Sequence, residues 1–222
     1  LGNSVTDESV ISSELLLDEG DPFSALKLQK SIAKLKARNL FGVVQKKITN
    51  GENTNQKIIE ILVEEKPTGE ISAGAGVGSE GASFAFNITE NNWLGKGVQI
   101  GTNIEVSAET FTGGFSLVEP NHNLTGNSLN YFIQNTTNDK PTSGFKNNII
   151  SSGIGTQFEQ YRNVYLSPSL VYSYDDLKVN SSASNSLKKQ KGTFSDLSLD
   201  YSIRLDNRDK VYAPTRGYIS TF

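Results

Sequence analysis

The sequence predicts a small α+β domain up to about Lys66, followed by antiparallel strands of a partial transmembrane β-barrel. The first observation is a change of hydrophobic pattern, from two helical stretches and a hairpin in residues 1–66 to many alternating runs and no helical stretch in residues 67–222. The second is the length of the alternating runs, which fits the ~9–11 residues of a tilted membrane strand better than the ~5–6 residues of an average strand. The third is that no apolar run approaches the ~18 residues of a membrane helix.

The composition excludes several function classes. The formal net charge of -3 gives no electrostatic case for a nucleic-acid partner. The chain has no cysteine, which excludes thiolate catalysis, a cysteine-ligated metal and a disulfide framework. The single histidine, His122, cannot form a histidine-based metal site by itself. We therefore expect neither an enzyme nor a cofactor. Because methionine is absent even at position 1, we expect a piece of a longer translation product.

Two helices are predicted at the start of the domain. Thr6 is expected to cap the first, because Asp7 and Glu8 then lie in its first turn, at the positive end of the helix dipole. Glu19-Gly20 is expected to end this helix. Asp21-Pro22 is expected to start the second helix, with Asp as cap and Pro in the first turn. The second helix has an apolar face formed by Ala25, Leu28, Ile32 and Leu35.

A hairpin follows the helices. A strand is predicted near Phe41–Ile48, and Asn50-Gly51 after it is a strong hairpin signal. The return strand places Ile59, Ile61 and Val63 on one face. The residues Leu1-Gly2-Asn3 are typical of the tail of an earlier strand. The order helix, helix, strand, strand gives one sheet face and two helices to cover it.

The rest of the chain alternates, and no helix is predicted after Pro67. The spacing indicates about eight strands, with a ninth beginning at Arg216. Charged and amide side chains on the polar faces fit a wet barrel interior. The clearest alternation sets Leu197, Leu199, Tyr201, Ile203 and Leu205 against Ser198, Asp200, Ser202, Arg204 and Asp206.

The connections are expected to differ in length on the two sides of the barrel, as in outer-membrane barrels. Short turns are predicted at Asn91–Gly97, Pro120–Gly126 and Gln160–Asn163, and longer loops at Asn135–Ser143 and Asp175–Gly192. The domain leads into the first barrel strand from a soluble compartment. We therefore expect the short turns to lie on the same side of the membrane as the domain, and this side to be the periplasm. A half barrel leaves two open edges, so a curved open sheet is expected.

Several segments carry a family resemblance that covers nearly the whole chain. Glu64-Glu65-Lys66-Pro67-Thr68-Gly69 is similar to a domain–barrel junction, Gly74-Ala75-Gly76-Val77-Gly78 to an opening strand, and Asn91-Asn92-Trp93-Leu94-Gly95-Lys96-Gly97 to a first barrel turn. Asp206-Asn207-Arg208-Asp209, with Pro214-Thr215-Arg216-Gly217-Tyr218 after it, is similar to a turn midway round the barrel. These segments resemble the BamA family, the central subunits of the bacterial outer-membrane assembly machinery.

The resemblance implies an architecture and a function. Residues 1–66 would be the last polypeptide-transport-associated (POTRA) domain, in the periplasm, and residues 67–222 the first half of an outer-membrane barrel. The full protein would fold and insert β-barrel clients without nucleotide hydrolysis. Its partners would be unfolded β-barrel clients, accessory outer-membrane lipoproteins and outer-membrane lipid. A related POTRA-bearing transporter, of the two-partner secretion or TamA type, is the alternative.

Two sites follow from the resemblance. The first barrel strand would be the lateral seam and the strand that pairs with clients. Its glycines would keep the seam weak, or would only permit tight curvature at barrel closure. Glu19 matches an acidic position implicated in contact with a lipoprotein, although the explanation favoured by a small margin is an exposed glutamate near a helix end. The residues of the seam strand are Glu70, Ile71, Ser72, Ala73, Gly74, Ala75, Gly76 and Val77.

Overall fold

The computed structural model describes residues 1–53, 56–78, 81–123, 125–209 and 214–222. The chain forms two compact units. The first unit contains Leu1–Gly69 together with Glu90–Gln99, and the second contains Glu70–Thr89 together with Ile100–Phe222. The first unit therefore holds the α+β domain and also a short segment from the strand-rich part of the sequence.

The elements of the α+β domain follow the predicted order. They are α1 (Glu8–Ser12), α2 (Ala25–Ala37), β1 (Phe41–Asn50) and β2 (Lys57–Glu65). The two strands form an antiparallel hairpin, as predicted. Leu1 lies beside β2 in strand-like fashion, because the N–H of Val63 donates to its carbonyl oxygen at 2.9 Å.

A single apolar core joins the helices to the hairpin. On α2, Leu28 and Leu35 are almost fully buried, as their helical spacing predicted. Burial of one such leucine side chain contributes about 1.5–3 kcal/mol. The core cluster consists of Val10, Ile11, Leu35, Leu40, Phe41, Val44 and Val63, with Leu15, Ile32 and Ile61 packed against it.

The predicted helix boundaries are wrong in detail. Asp7, not Thr6, is the N-cap residue of α1, and α1 ends at Ser12, well before Glu19-Gly20. The hydroxyl of Thr6 instead accepts a hydrogen bond from a side chain far away in the sequence, which local spacing cannot reveal. The second helix begins after Ser24, whose Oγ accepts from the N–H of Lys27 at 3.3 Å.

Asp21-Pro22 therefore lies in the loop before α2. Ser24 has extended backbone angles, φ -131° and ψ 111°, so the chain turns into the helix only after this residue. Serine and aspartate are comparable N-cap residues, and the sequence offered both within four positions. The serine is the one that caps α2 in the structure.

The strand-rich part forms a nine-stranded sheet within the described residues. Each strand lies beside its neighbours in sequence, in the order β11-β10-β9-β8-β7-β6-β5-β4-β3. Strand β3 forms one open edge, and β11 forms the other together with the part of β10 that it does not cover. Eight strands of ten or more residues and a short ninth agree with the predicted number, although the ninth starts at Ile219 and not at Arg216. The strands are β3 (Gly69–Gly78), β4 (Gly81–Trp93), β5 (Val98–Ser107), β6 (Thr110–His122), β7 (Asn127–Lys140), β8 (Phe145–Tyr161), β9 (Val164–Val179), β10 (Gly192–Asp206) and β11 (Ile219–Thr221).

One face of this sheet is apolar and exposed. The register places Ile154 opposite Leu170, and Leu170 opposite Leu199, so the apolar residues of β8, β9 and β10 lie side by side. On β10, the alternate residues Asp196 and Asp200 lie on the other face, as the period of two requires. An exposed apolar surface of this kind is typical of a face that contacts a membrane or another protein. The alternation predicted for β10 is confirmed.

The predicted long loop at Asn135–Ser143 is wrong. Strand β7 continues to Lys140, which lies opposite Phe145 on β8. Polar side chains here satisfy one another across the pair: Asn135 Nδ2 donates to Asn148 Oδ1 at 2.9 Å, and Thr137 Oγ1 donates to the same oxygen at 2.7 Å. Strand pairing depends on the backbone, so a polar sequence can remain in a strand when its side chains find partners.

The loop predicted at Asp175–Gly192 is shorter than expected. Asp175 and Asp176 lie in β9, and the connection to β10 contains α3 (Asn185–Lys189), a helix that alternation did not predict. Four-residue turns join β6 to β7 and β7 to β8 alike, so the expected contrast between the two sides is not found there. No helix among the described residues combines the length and the hydropathy needed to cross a membrane.

Candidate functional site

The predicted seam residues Glu70–Val77 all lie in β3, at one edge of the nine-stranded sheet. All ten residues of β3 are exposed, and Ile71 and Val77 expose 70% and 89% of their surface. One edge of β3 pairs with β4. Among the described residues, no strand pairs with the other edge. The N–H and C=O groups along that edge are thus available to another strand.

The surroundings of the β3 glycines bear on whether these residues weaken the seam or permit tight curvature at barrel closure. A Cβ atom added to Gly74 or Gly78 would meet nothing within 4 Å, and one added to Gly76 would approach Ser83 Oγ at 3.4 Å, an ordinary contact. Within the described ranges, neither a close neighbour nor a positive φ angle requires glycine at these positions. What the glycines do change is packing, because they offer no side chain to a neighbouring strand.

The turn between β4 and β5 belongs to the first unit. It has left-handed backbone conformations at Leu94, Gly95 and Gly97, with φ angles of 54°, 74° and 63°. The side chain of Asn92 joins the two ends of the turn, since its Oδ1 accepts a hydrogen bond from the N–H of Gly97 at 2.7 Å. The side chain of Leu94 is 71% exposed and contributes little packing to the turn.

Three groups of the α+β domain bind this turn. Asn92 Nδ2 donates to Thr6 Oγ1 at 2.9 Å, a hydrogen bond between two buried residues. The N–H of Asp7 donates to the carbonyl oxygen of Gly95 at 2.8 Å. Arg38 Nη2 donates to the carbonyl oxygen of Gly97 at 2.8 Å. We call this set of three hydrogen bonds the turn clamp.

The turn and the domain approach too closely for side chains at either glycine. A Cβ atom on Gly95 would lie 2.1 Å from the carbonyl oxygen of Val5. A Cβ atom on Gly97 would lie 2.5 Å from Arg38 Nη2 and 2.9 Å from a methyl group of Val10. The Leu-Gly-Lys-Gly sequence is thus matched both to the backbone conformation and to the contact.

Arg38 is held by a buried carboxylate. Glu14 is only 8% exposed, and its Oε1 lies 3.6 Å from Arg38 Nε, with Lys34 Nζ at 3.9 Å from its other oxygen. Burial lowers the pKa of Arg38, and the negative charge of Glu14 acts in the opposite direction. The opposite charges of Glu14 and Arg38 therefore compensate each other, whereas either charge would be costly to bury alone.

Glu65, at the end of β2, fixes the chain just before α1. Its carboxylate accepts hydrogen bonds from the backbone N–H groups of Ser4, Val5 and Thr6, and from the hydroxyl of Ser4. Burial acts to raise the pKa of Glu65, but these hydrogen bonds outweigh it and lower the pKa to about 2. Thr6 is thereby held by its N–H while its hydroxyl faces Asn92.

Glu19 lies in the loop between α1 and α2 and is exposed. The loop has a defined turn around it, because the N–H of Asp21 donates to the carbonyl oxygen of Asp18 at 3.1 Å and Gly20 has a φ angle of 91°. Glu19 is thus displayed at the tip of an ordered acidic turn. The residues Leu16, Phe23 and Leu26 are exposed nearby in sequence.

The sequence did not reveal the residues of the turn clamp. Its spacing indicates a helix cap at Thr6 and a first-turn acidic residue at Asp7, and nothing in it marks Arg38. The only available signal was the Asn-Trp-Leu-Gly segment, whose resemblance to a family turn drew attention to Asn92. Among the described residues, no cluster of acidic or histidine side chains has the arrangement of a metal site.

The fold and these features define a class of protein. Residues 92–222, more than half of the chain, match the Omp85 superfamily domain, and the chain belongs to this superfamily. Residues 1–66 match the POTRA family, described as surface antigen variable number repeat.

The chain is BamA-like. It is 24% identical over 225 residues to the outer membrane protein assembly factor BamA of Neorickettsia risticii, covering 98% of this chain and 30% of that protein. It is similar to the crystal structure of BamA from Haemophilus ducreyi lacking POTRA domains 1–3, with a TM-score of 0.75 and 24% identity over 99% of this chain and 45% of that one. CdiB from Acinetobacter baumannii is less similar, with a TM-score of 0.59 and 13% identity over 90% of this chain and 40% of that one. The chain thus spans under half the length of each of these relatives.

Proposed function

We propose that the protein is an outer-membrane assembly factor that folds and inserts β-barrel clients through a lateral seam at β3. The observation that carries this proposal is the composition of β3, the first strand of the sheet, where Gly74, Gly76 and Gly78 offer no side chain to an outer partner strand. The similarity to a BamA assembly factor supports the same function.

The mechanism follows from the cost of an open edge. In lipid, each unsatisfied backbone group costs several kcal/mol, so the β3 edge must pair with some strand. In a complete barrel this partner is the last strand, and a client strand can replace it by β-augmentation. Exchange of one set of backbone hydrogen bonds for another is nearly balanced in energy. It therefore needs no nucleotide hydrolysis.

The β3 glycines support a weak seam. At Gly74 and Gly78 a side chain would meet open space, so steric crowding in the described residues gives no reason for glycine. A strand with few side chains forms few cross-strand contacts, each of which contributes roughly 0.2–1 kcal/mol. A seam of this kind opens more readily than the strand pairs elsewhere in the sheet.

We further propose that residues 1–66 form a periplasmic POTRA domain and residues 67–222 the first half of an outer-membrane barrel. The exposed apolar face of β7–β10 supports membrane contact by the second segment. Glu19 is the proposed contact for an accessory outer-membrane lipoprotein, and its support is exposure at the tip of an ordered acidic turn. An acidic turn of this kind would complement a basic patch on the lipoprotein.

The decisive experiment is crosslinking in the full-length protein during synthesis of a client barrel. A photo-crosslinking residue is placed in turn at Ser72, Ala73 and Ala75 on β3. Ile133 on β7 and Leu170 on β9 serve as controls, since both are exposed and each lies opposite a residue of the neighbouring strand on either side. Crosslinks from β3 to the terminal strand of the client, and none from β7 or β9, are the expected result.

Crosslinks from β3 only to the protein's own last strand would contradict the proposal. The seam would then be sealed, and the transporter of the two-partner secretion type would become the better explanation. The fold similarity to CdiB is compatible with that outcome. Locking Ala75 to the last strand by a disulfide gives an independent check, because insertion that continues at the normal rate with a locked seam excludes strand exchange there.

A further inference from the structure

We propose that Asn92 is a positioning residue, which keeps the β4–β5 turn bound to the α+β domain in the conformation that client insertion requires. The part of this inference that concerns insertion rests on the proposed function. The part that concerns the turn rests only on contacts within the first unit.

Asn92 uses both ends of its side-chain amide. Its Nδ2 donates to Thr6 Oγ1 and its Oδ1 accepts from the N–H of Gly97, so one side chain both closes the turn and binds it to the domain. Asn92 is only 8% exposed, and Thr6 only 3%. A buried amide of this kind cannot replace a lost partner with water at low cost.

The turn conformation is not maintained by its own packing. Leu94 is a non-glycine residue with a φ angle of 54°, which is uncommon and costs conformational energy. Such a residue persists only where its surroundings hold it. The side chain of Leu94 is 71% exposed and does not supply that support. The hydrogen bonds that Asp7 and Arg38 donate to the turn, and the one that Thr6 accepts from Asn92, do supply it.

The contact is also fixed from the domain side. Arg38, the donor to Gly97, lies against the buried carboxylate of Glu14. Thr6, the acceptor for Asn92, is held through its N–H by Glu65 at 2.6 Å. Each of these two groups of the turn clamp is therefore oriented before the turn binds, which lowers the entropic cost of binding.

The consequence concerns β4, which is the pairing partner of β3. Strand β4 ends at Trp93, immediately after Asn92, so the turn determines where the end of this strand is held. When β3 exchanges its outer partner during insertion, β4 must keep its place as the inner partner. Asn92 provides this fixed end.

The test compares three variants of the full-length protein in lipid nanodiscs. Thr6→Val keeps the shape of the side chain and removes the acceptor for Asn92. Thr6→Ser keeps the hydroxyl and is the matched control. Asn92→Asp keeps the acceptor for Gly97 and removes the donor to Thr6. Hydrogen exchange is measured for the amides of residues 94–98, and the amides of α2 report on general unfolding.

We expect exchange at Gly97 to accelerate about fivefold or more in Thr6→Val and in Asn92→Asp, which corresponds to the loss of one hydrogen bond. Thr6→Ser should remain within about twofold of the wild type, and exchange in α2 should change in none of the variants. The rate of client insertion should fall severalfold in Thr6→Val and recover in Thr6→Ser.

Unchanged exchange at Gly97 in both Thr6→Val and Asn92→Asp would overturn the inference, because the turn would then hold without the clamp. Faster exchange at Gly97 with normal client insertion would also overturn it, because the clamp would then be purely structural. Absence of insertion by the wild-type protein would instead contradict the proposed function. Exchange at Gly97 would still decide the role of Asn92 in the turn.

Discussion

The backbone N–H of Thr6 donates to Glu65 Oε1 at 2.6 Å, across 59 residues of sequence. Glu65 lies at the end of β2 and Thr6 just before α1, so this bond fixes the entry to α1 against the hairpin. The hydroxyl oxygen of Thr6 also accepts a hydrogen bond from Asn92 Nδ2. Glu65 thus supports the turn clamp indirectly.

The first prediction concerns pH. The pKa of Glu65 is lowered from its ordinary 4.5 to about 2, so its carboxylate stabilises the fold fully above pH 4.5 and progressively less as the pH falls from 4.5 to 2. Exchange protection of the Val5 and Thr6 amides, corrected for intrinsic rates, should decline over this range. In Glu65→Gln the protection should be lower at neutral pH and should lose this dependence. A pH response that persists in Glu65→Gln would assign it to another group.

The second prediction compares two glycines with positive φ angles. Gly95→Ala meets the Val5 carbonyl oxygen at 2.1 Å, whereas Gly20→Ala meets nothing within 4 Å. Both substitutions incur the left-handed backbone penalty of roughly 1–2 kcal/mol, but only Gly95→Ala adds a steric clash. The free energy of unfolding should therefore fall by about 1 kcal/mol in Gly20→Ala and by about 3 kcal/mol or more in Gly95→Ala. Equal losses in a denaturant titration would argue against the close contact.

The third prediction concerns the seam. Gly74→Val should raise strand propensity by up to about 1 kcal/mol without a clash and so stabilise pairing between β3 and its outer partner. Client insertion should slow by about fivefold, because the seam must open for exchange. Gln134→Val on β7 places the same side chain at an exposed position that pairs with β6 on one side and β8 on the other, and it should leave the rate unchanged. Faster insertion by Gly74→Val would show that the seam is not the barrier.

The fourth prediction concerns the lipoprotein contact. Charge reversal by Glu19→Lys should reduce co-purification of the accessory lipoprotein severalfold, because it replaces an attraction with a repulsion. Glu52→Lys, at an exposed position in the β1–β2 connection, is the control of equal charge change. The same reduction in both variants would indicate a general charge effect and not a contact at Glu19.

The fifth prediction concerns the apolar face of β10. Leu199→Lys should destabilise the folded protein in lipid by ~2–4 kcal/mol, the cost of a lysine facing the membrane midplane. Asp200→Asn, one residue further on the opposite face, should change the stability by less than about 0.5 kcal/mol. Refolding titrations into lipid vesicles measure both values. Similar losses of stability in the two variants would mean that the lipid-facing and inward-facing sides of β10 were assigned wrongly.

The sequence predicted what depends on local periodicity. The alternation of residues 197–206 indicated β10 and its two faces, and the helical spacing of Leu28 and Leu35 indicated the buried face of α2. It did not predict the role of Thr6, because the partner of its hydroxyl lies 86 residues away. It also misplaced Asn135, since an asparagine in a polar run suggests a loop until its partner Asn148 is known.

The great length of β8 and β9 has a consequence for the outer rim of the molecule. Strands of 17 and 16 residues extend over roughly 50 Å at ~3.3 Å per residue, more than a hydrocarbon layer of ~30 Å requires even at a tilt of 40°. The polar ends of β8 and β9 around Asn148 would extend beyond the lipid and remain paired there as a β-sheet. Epitope tags inserted at residues 180–191 should therefore be tolerated, whereas tags within residues 135–140 would break the ladder. Antibodies raised against this rim would recognise a rigid surface and not a linear peptide.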